Sequence, residues 1–246
     1  MQNVIQHVIV IGNFGVGKTE FIKLLAPRIL AESGIHAVVQ SSDRLYFEQA
    51  VRRDTQGKPI QSDGSVRGAH SVMVKDGVSG HMSFFPLDGS IFNEAHKRMI
   101  RDIAGRTSAG TINLVEYATG PNGSFTTGEA LDQSARFLVD ALDAHHLIDR
   151  TLVIELSASF DLRKHRNNTR KDTVEPRAFE LYGQPGGNMT DPDADRLGNL
   201  FIHLQNEKGV VLDQIVSEVF FSMHHLFAKD TNVRGSEGRF GKKEIR

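Results

Sequence analysis

The sequence predicts an α/β protein built on a five-stranded parallel sheet with helices on both faces. Two observations carry that expectation. Short β-branched runs alternate with longer segments of helical spacing along most of the 246 residues, as strand–helix–strand units require. In the first of them, residues 4–11, β-branched aliphatics run nearly unbroken, as expected where helices cover both faces of a sheet. Composition agrees with this reading. Hydrophobic residues make up 39% and charged residues 24%, with a formal net charge of −1, so global charge gives no pull toward nucleic acid. The chain has no cysteine, which excludes disulfides, thiolate nucleophiles and cysteine zinc sites and fits a reducing compartment. No stretch reaches the roughly 18 apolar residues of a membrane span. A cytoplasmic protein without a membrane partner is expected, and nothing in the sequence speaks to its oligomeric state.

The elements follow in order. Residues 4–11 read as a strand of β-branched aliphatics, followed by a glycine loop. From 18 to about 31, Phe21, Leu24, Leu25 and Leu30 keep helical spacing, with Pro27 a predicted kink and Gly34 a stop signal. A second strand at 36–40 ends in Ser41-Ser42-Asp43. Residues 57–89 are rich in Gly, Ser and Asp around the short runs SVMV and MSFF, and predict a loop or small hairpin insertion. Helix returns at 90–106, strand at 111–117, helix at 129–144 and strand at 150–157. A polar segment at 160–195 precedes a fifth strand at 200–204 and an amphipathic helix at 212–227. The expectation is one domain over 1–228 and a flexible basic tail at 229–246.

One motif dominates. Gly12-Asn13-Phe14-Gly15-Val16-Gly17-Lys18-Thr19 satisfies GxxxxGK(S/T), the Walker A pattern, and it sits between a strand and a helix as that motif requires. Its glycines let successive N–H groups turn inward around a phosphate, and the helix adds its positive end. Lys18 is expected to reach the β- and γ-phosphates and the Thr19 hydroxyl to coordinate Mg²⁺. Residues 13–19 are therefore the predicted nucleotide site. A switch GTPase would need NKxD, and Asn168-Thr169-Arg170-Lys171-Asp172 is only a loose echo of it. A mechanical ATPase usually ends its acidic strand in a carboxylate pair, and LVEYATG offers only Glu116.

The basic segment LVIELSASFDLRKHRNNTRKD, residues 152–172, resembles the strand-then-lid passage of nucleoside and nucleotide kinases such as thymidylate kinase. Arg163, Arg166 and Arg170 recur at three and four residues, which places them on one helical face. The resemblance implies a lid at 160–195 whose guanidiniums clamp the transferring phosphoryl group; a solvated surface helix would carry the same pattern. The closing stretch resembles small P-loop kinases too, with Asn206 and Gly209 at the turn near the nucleotide base. Resemblance to the P-loop kinase family covers 4–47, 111–172 and 199–227, and implies a three-layer P-loop NTPase fold using ATP and Mg²⁺. It does not reach the insertion at 57–89.

In kinases of this superfamily, polynucleotide kinases included, an acidic residue just after the second strand commonly serves the acceptor. SSDRLYF puts Asp43 there as general base, with Arg44 as an acceptor or phosphate ligand. Asp43 is equally well suited to cap a helix. Glu116 suits Mg²⁺ held through water, the acceptor, or a cap. Asp88 and Arg98 are further candidate acceptor ligands, though Asp-Gly is first a turn signal and the basic residues near Arg98 suit a solvated face. His145-His146 and His224-His225 are adjacent pairs, which diverge by about 100° on a helix and make no metal bite. The expected activity is γ-phosphoryl transfer from ATP to a hydroxyl or phosphate of a nucleoside, nucleotide or nucleic-acid-type acceptor, a modified base included. The alternative is a nucleotide-dependent switch or regulatory ATPase acting through a protein partner.

Overall fold

A computed structural model describes residues 5–33, 35, 37–75, 80, 82–106, 110–119, 129–169, 179, 189–207 and 212–227. Five strands form one parallel sheet: β1 (His7–Gly12), β2 (Ala37–Ser42), β6 (Thr111–Ala118), β7 (Thr151–Ser157) and β8 (Phe201–Gln205), in the order β2-β6-β1-β7-β8. Every residue of β1 is buried, which explains the apolar run Val8–Ile11 at its centre. Val8 and Val10 point to one face, where α1 (Lys18–Ser33) and α7 (Leu212–Phe227) supply Phe21, Leu25, Val216 and Phe220. Ile9 and Ile11 point to the other, where α2 (Asp43–Asp54), α3 (Ser90–Ala104) and α4 (Glu129–Ala144) supply Ala50, Met99 and Leu138. Burying each such aliphatic side chain contributes about 1.5–3 kcal/mol.

The predicted boundaries shift by one to three residues. Helix α1 continues through Pro27. The second strand takes in Ser41 and Ser42, and α2 starts at Asp43 with no intervening loop. The insertion is more than a hairpin: β3 (Ser65–Arg67), β4 (Ser71–Lys75) and β5 (Met82–Pro86) form a three-stranded antiparallel sheet. It rests on α2 through Met73 and Phe84, which pack against the core, and Arg52 lies 4.9 Å over the Phe84 ring. At the end of α2, Asp54 accepts hydrogen bonds from Ala69 N, His70 N and Ser71 Oγ. Local pattern could suggest two of these strands, but the third closes through packing that the text does not display.

The polar segment contributes α5 (Phe160–Thr169) and α6 (Asp191–Leu197). Arg170, the rest of the expected lid over 171–178 and 180–188, Gly209, and the tail lie outside the described residues. Among the described residues no helix is long and apolar enough to cross a membrane. The topology places a crevice at the end of β1. From β1 the chain goes through α1 to β2 on one side, and after β6 it crosses to β7 on the other. Such a reversal of strand order is where open parallel sheets bind ligands.

Candidate active site

The loop from Gly12 to Thr19 leaves β1 at that crevice. Gly15 and Gly17 have φ of 80° and 96°, a region that side-chain-bearing residues rarely adopt. Space forbids a side chain as well. A Cβ on Gly15 would lie 2.9 Å from the Arg163 carbonyl oxygen, and one on Gly17 would lie 2.6 Å from Asn206 Nδ2. Lys18 is 5% exposed, and its Nζ donates to Gly12 O at 2.7 Å and Asn13 O at 3.1 Å. A buried ammonium needs such partners, and here they hold it within the loop at the start of α1.

Three other segments fix the loop from outside. From the end of β6, Thr119 Oγ1 donates to Asn13 Oδ1 at 2.9 Å and Thr119 N to Gly12 O at 3.2 Å. From the end of β8, Asn206 Nδ2 donates to Val16 O at 2.7 Å. From α5, Arg166 Nη1 reaches Gly15 O and Val16 O at 3.4 Å, while Nη2 reaches Asn206 O and Oδ1 at 3.2 and 3.3 Å. These bonds tie the loop to three elements through the Asn13 side chain and the carbonyls of Gly12, Gly15 and Val16. Phe14, half-buried, belongs to the same turn. Neither described arginine of α5 is a solvated charge. Arg163 is 3% exposed, donates Nε to Ala158 O and lies over the Phe160 ring. Burial lowers the pKa of both Arg163 and Arg166, with Glu207 acting in the opposite direction.

Thr19 Oγ1 lies 3.0 Å from both carboxylate oxygens of Glu116, near the end of β6. A hydroxyl and a carboxylate facing each other form an oxygen-only donor set, which suits a hard cation such as Mg²⁺. Among the described residues no three His, Asp or Glu side chains converge as a metal site, so phosphate and water oxygens would complete that coordination. The residues present fit MgATP.

Asp43 is 9% exposed at the start of α2. The N-cap position belongs to Ser42, which makes no side-chain cap. The Asp43 carboxylate turns instead to β6, where Oδ2 accepts from Ala118 N and lies 3.7 Å from His96 Nε2. Ser42 pairs with Glu116 in the sheet, so Asp43 and Glu116 leave neighbouring strand ends at the crevice. Arg44 is exposed and pairs with Glu48 at 3.1 Å. Asp88 binds His70 Nδ1 at 2.8 Å and accepts from Ser90 N and Oγ, so it belongs to a cluster joining the insertion to the start of α3. Arg98 is half-buried on α3, beside the apolar stripe of that helix.

Sequence reasoning did not single out Thr119, His96 or Glu155. Glu155 is 3% exposed inside β7 and accepts from Met189 N at 2.8 Å, and burial pushes its carboxyl up to about 7. The available signals were a His inside the apolar stripe of α3 and a Glu inside a strand buried on both faces.

No family model matches the sequence, and no curated protein sequence matches it. The structure aligns with the crystal structure of APE1195 over 92% of this chain and 98% of that one, at 13% identity and a TM-score of 0.52. The likeness is one of fold, here a five-stranded parallel sheet with helices on both faces. Mycobacterium tuberculosis APS kinase CysC, in complex with AMPPNP and APS, aligns over 90% of this chain and 98% of its own at 12% identity and a TM-score of 0.48. The tunicamycin resistance protein of Deinococcus radiodurans aligns over 89% and 95% at 14% identity and a TM-score of 0.45. These likenesses concern the fold.

Proposed function

We propose that this chain is an ATP-dependent phosphotransferase, moving the γ-phosphoryl group to a hydroxyl of a nucleoside, nucleotide or nucleic-acid-type acceptor, a modified base included. The observation that carries the reading is the Asp43 carboxylate. It is held at the crevice by Ala118 N and does not cap its own helix. A phosphate acceptor needs no base, so Asp43 favours a hydroxyl among the acceptors that the family resemblance implies.

In this reading the inward amides of residues 13–19 and the Lys18 ammonium bind the β- and γ-phosphates. Thr19 would hold Mg²⁺ directly and Glu116 through water; the ion neutralises phosphate charge when bound. Asp43 accepts the acceptor's hydroxyl proton as the acceptor oxygen bonds to the γ-phosphorus and the bond to the β-phosphate oxygen breaks, leaving ADP. Asn206 flanks the nucleotide, and Arg166 braces the loop. Arg163 underlies the loop, and Arg44 is the nearest candidate for the acceptor's own anionic groups.

Incubation with γ-labelled ATP, Mg²⁺ and a panel of nucleosides, nucleotides and oligonucleotides tests the reading. Label is expected on one acceptor class, with turnover stimulated by it. Phosphate release that no acceptor stimulates would instead support the nucleotide-dependent switch.

A further inference from the structure

The apolar stripe of α3 is interrupted by one polar side chain. His96 is 1% exposed and enclosed by rings: Tyr117 stacks on it at 4.1 Å, and Phe92 and Phe137 lie at 6.4 Å. Among the described residues its Nδ1 has no hydrogen-bond partner, while its Nε2 faces Asp43 Oδ2 at 3.7 Å. Burying an imidazole in an aromatic box costs stability unless its polar atoms find partners. Asp43 is the polar group within reach. An orphaned buried N–H is rarer than an orphaned acceptor, so the proton is assigned to Nε2, on the carboxylate side.

We infer that His96 is a positioning residue for Asp43, an inference that rests on Asp43 acting as the base. Ala118 N and His96 Nε2–H approach the same oxygen from β6 and α3. Together they fix the carboxylate with Oδ1 directed away from them, toward the acceptor. The 3.7 Å gap is longer than a hydrogen bond, and catalytic contacts of this kind tighten when the acceptor arrives. The aromatic box supplies the rigidity, because the ring has no room to turn away.

The test uses the full chain and MgATP, with water in the place of the acceptor hydroxyl. His96→Phe keeps the packing and removes the donor; it should lower kcat for phosphate release about tenfold with KM for ATP unchanged. His96→Gln carries an amide N–H near the Nε2 position and should recover to within about threefold of wild type. In an Asp43→Asn background, His96→Phe should add nothing further. Histidine ¹⁵N spectra of the wild-type chain should show the Nε2–H tautomer at His96, shifted by Asp43→Asn. Wild-type kcat in His96→Phe overturns the inference. So does an equal fall in His96→Phe and His96→Gln with KM for ATP raised, which is a packing effect. Full turnover in Asp43→Asn would locate the failure in the base assignment, and with it the positioning role; the ¹⁵N shift separates that outcome from an absent contact.

Discussion

The two faces of the central sheet differ in what they bury. Against α1 and α7 the sheet presents Val8, Val10, Ile112, Leu114, Leu152, Ile154 and Leu156, all apolar. Against α2, α3 and α4 it buries His7, Asn113, Thr151 and Glu155 among its aliphatics, and Asp43 and His96 lie on that side. In the proposed reading, helix α1 needs only a firm bed, because the donor site uses loop amides and two residues at its start. An acceptor site needs side chains that take protons and discriminate, and these require polar groups inside the packed layer. One face is therefore built for stability, while the other gives up stability to hold chemistry.

Breaking the donor side should have the largest effect. Lys18→Ala removes the buried ammonium and should lower γ-phosphoryl turnover by about 10³-fold; substantial activity with labelled ATP would refute the P-loop assignment. On the polar face, Asp43→Asn should lower kcat by about 10²-fold or more with ATP affinity nearly kept. Loss of affinity, measured by titration calorimetry with a non-hydrolysable analogue, would mark Asp43 as a metal ligand.

Glu155 measures how much stability that face gives up. Folded, it keeps its proton up to about 7; unfolded, it loses it near 4.5. The folded chain therefore binds more protons between these values, and stability falls as pH rises through that window. Relative to Glu155→Gln, the wild type should lose about 2–3 kcal/mol between pH 4.5 and 8 by urea denaturation. Parallel curves would mean that water reaches the carboxyl.

Arg166→Ala should weaken analogue binding about tenfold with a smaller change in kcat, because it braces the loop from outside. The smallest effect belongs to the exposed His70–Asp88 pair. Asp88 raises the His70 pKa above 6.5, so the pair stabilises below that value and its contribution is lost as pH rises through the folded value. His70→Ala should cost less than about 0.5 kcal/mol at pH 6 and nothing at pH 9.

The apolar face and the loop were the legible parts. Short aliphatic runs such as Val8–Ile11 and Leu152–Ile154 marked the strands, and the bounds of α4 and α7 follow their periodic text, because burial on one side writes a pattern into local sequence. The motif at 12–19 was readable because phosphate binding there depends on consecutive residues. Asp43 was placed by its distance from the second strand, but its partner Ala118 lies 75 positions away, and no local pattern shows that contact. His96 is one of eleven histidines, and only its rings and Asp43 distinguish it. Strand order, the third strand of the insertion and the Thr119 and Asn206 bonds arise from tertiary packing alone.

The order in which the loop and its supports occur along the chain has a consequence for synthesis. The loop at residues 12–19 precedes in the chain every residue that braces it from outside, namely Thr119, Arg166 and Asn206. A nascent chain that stops short of Asn206 has the whole motif without the frame that braces it. Nucleotide binding at the proposed site would thus come late in synthesis, and retention of a growing polypeptide on immobilised ATP would report that the eighth strand has docked.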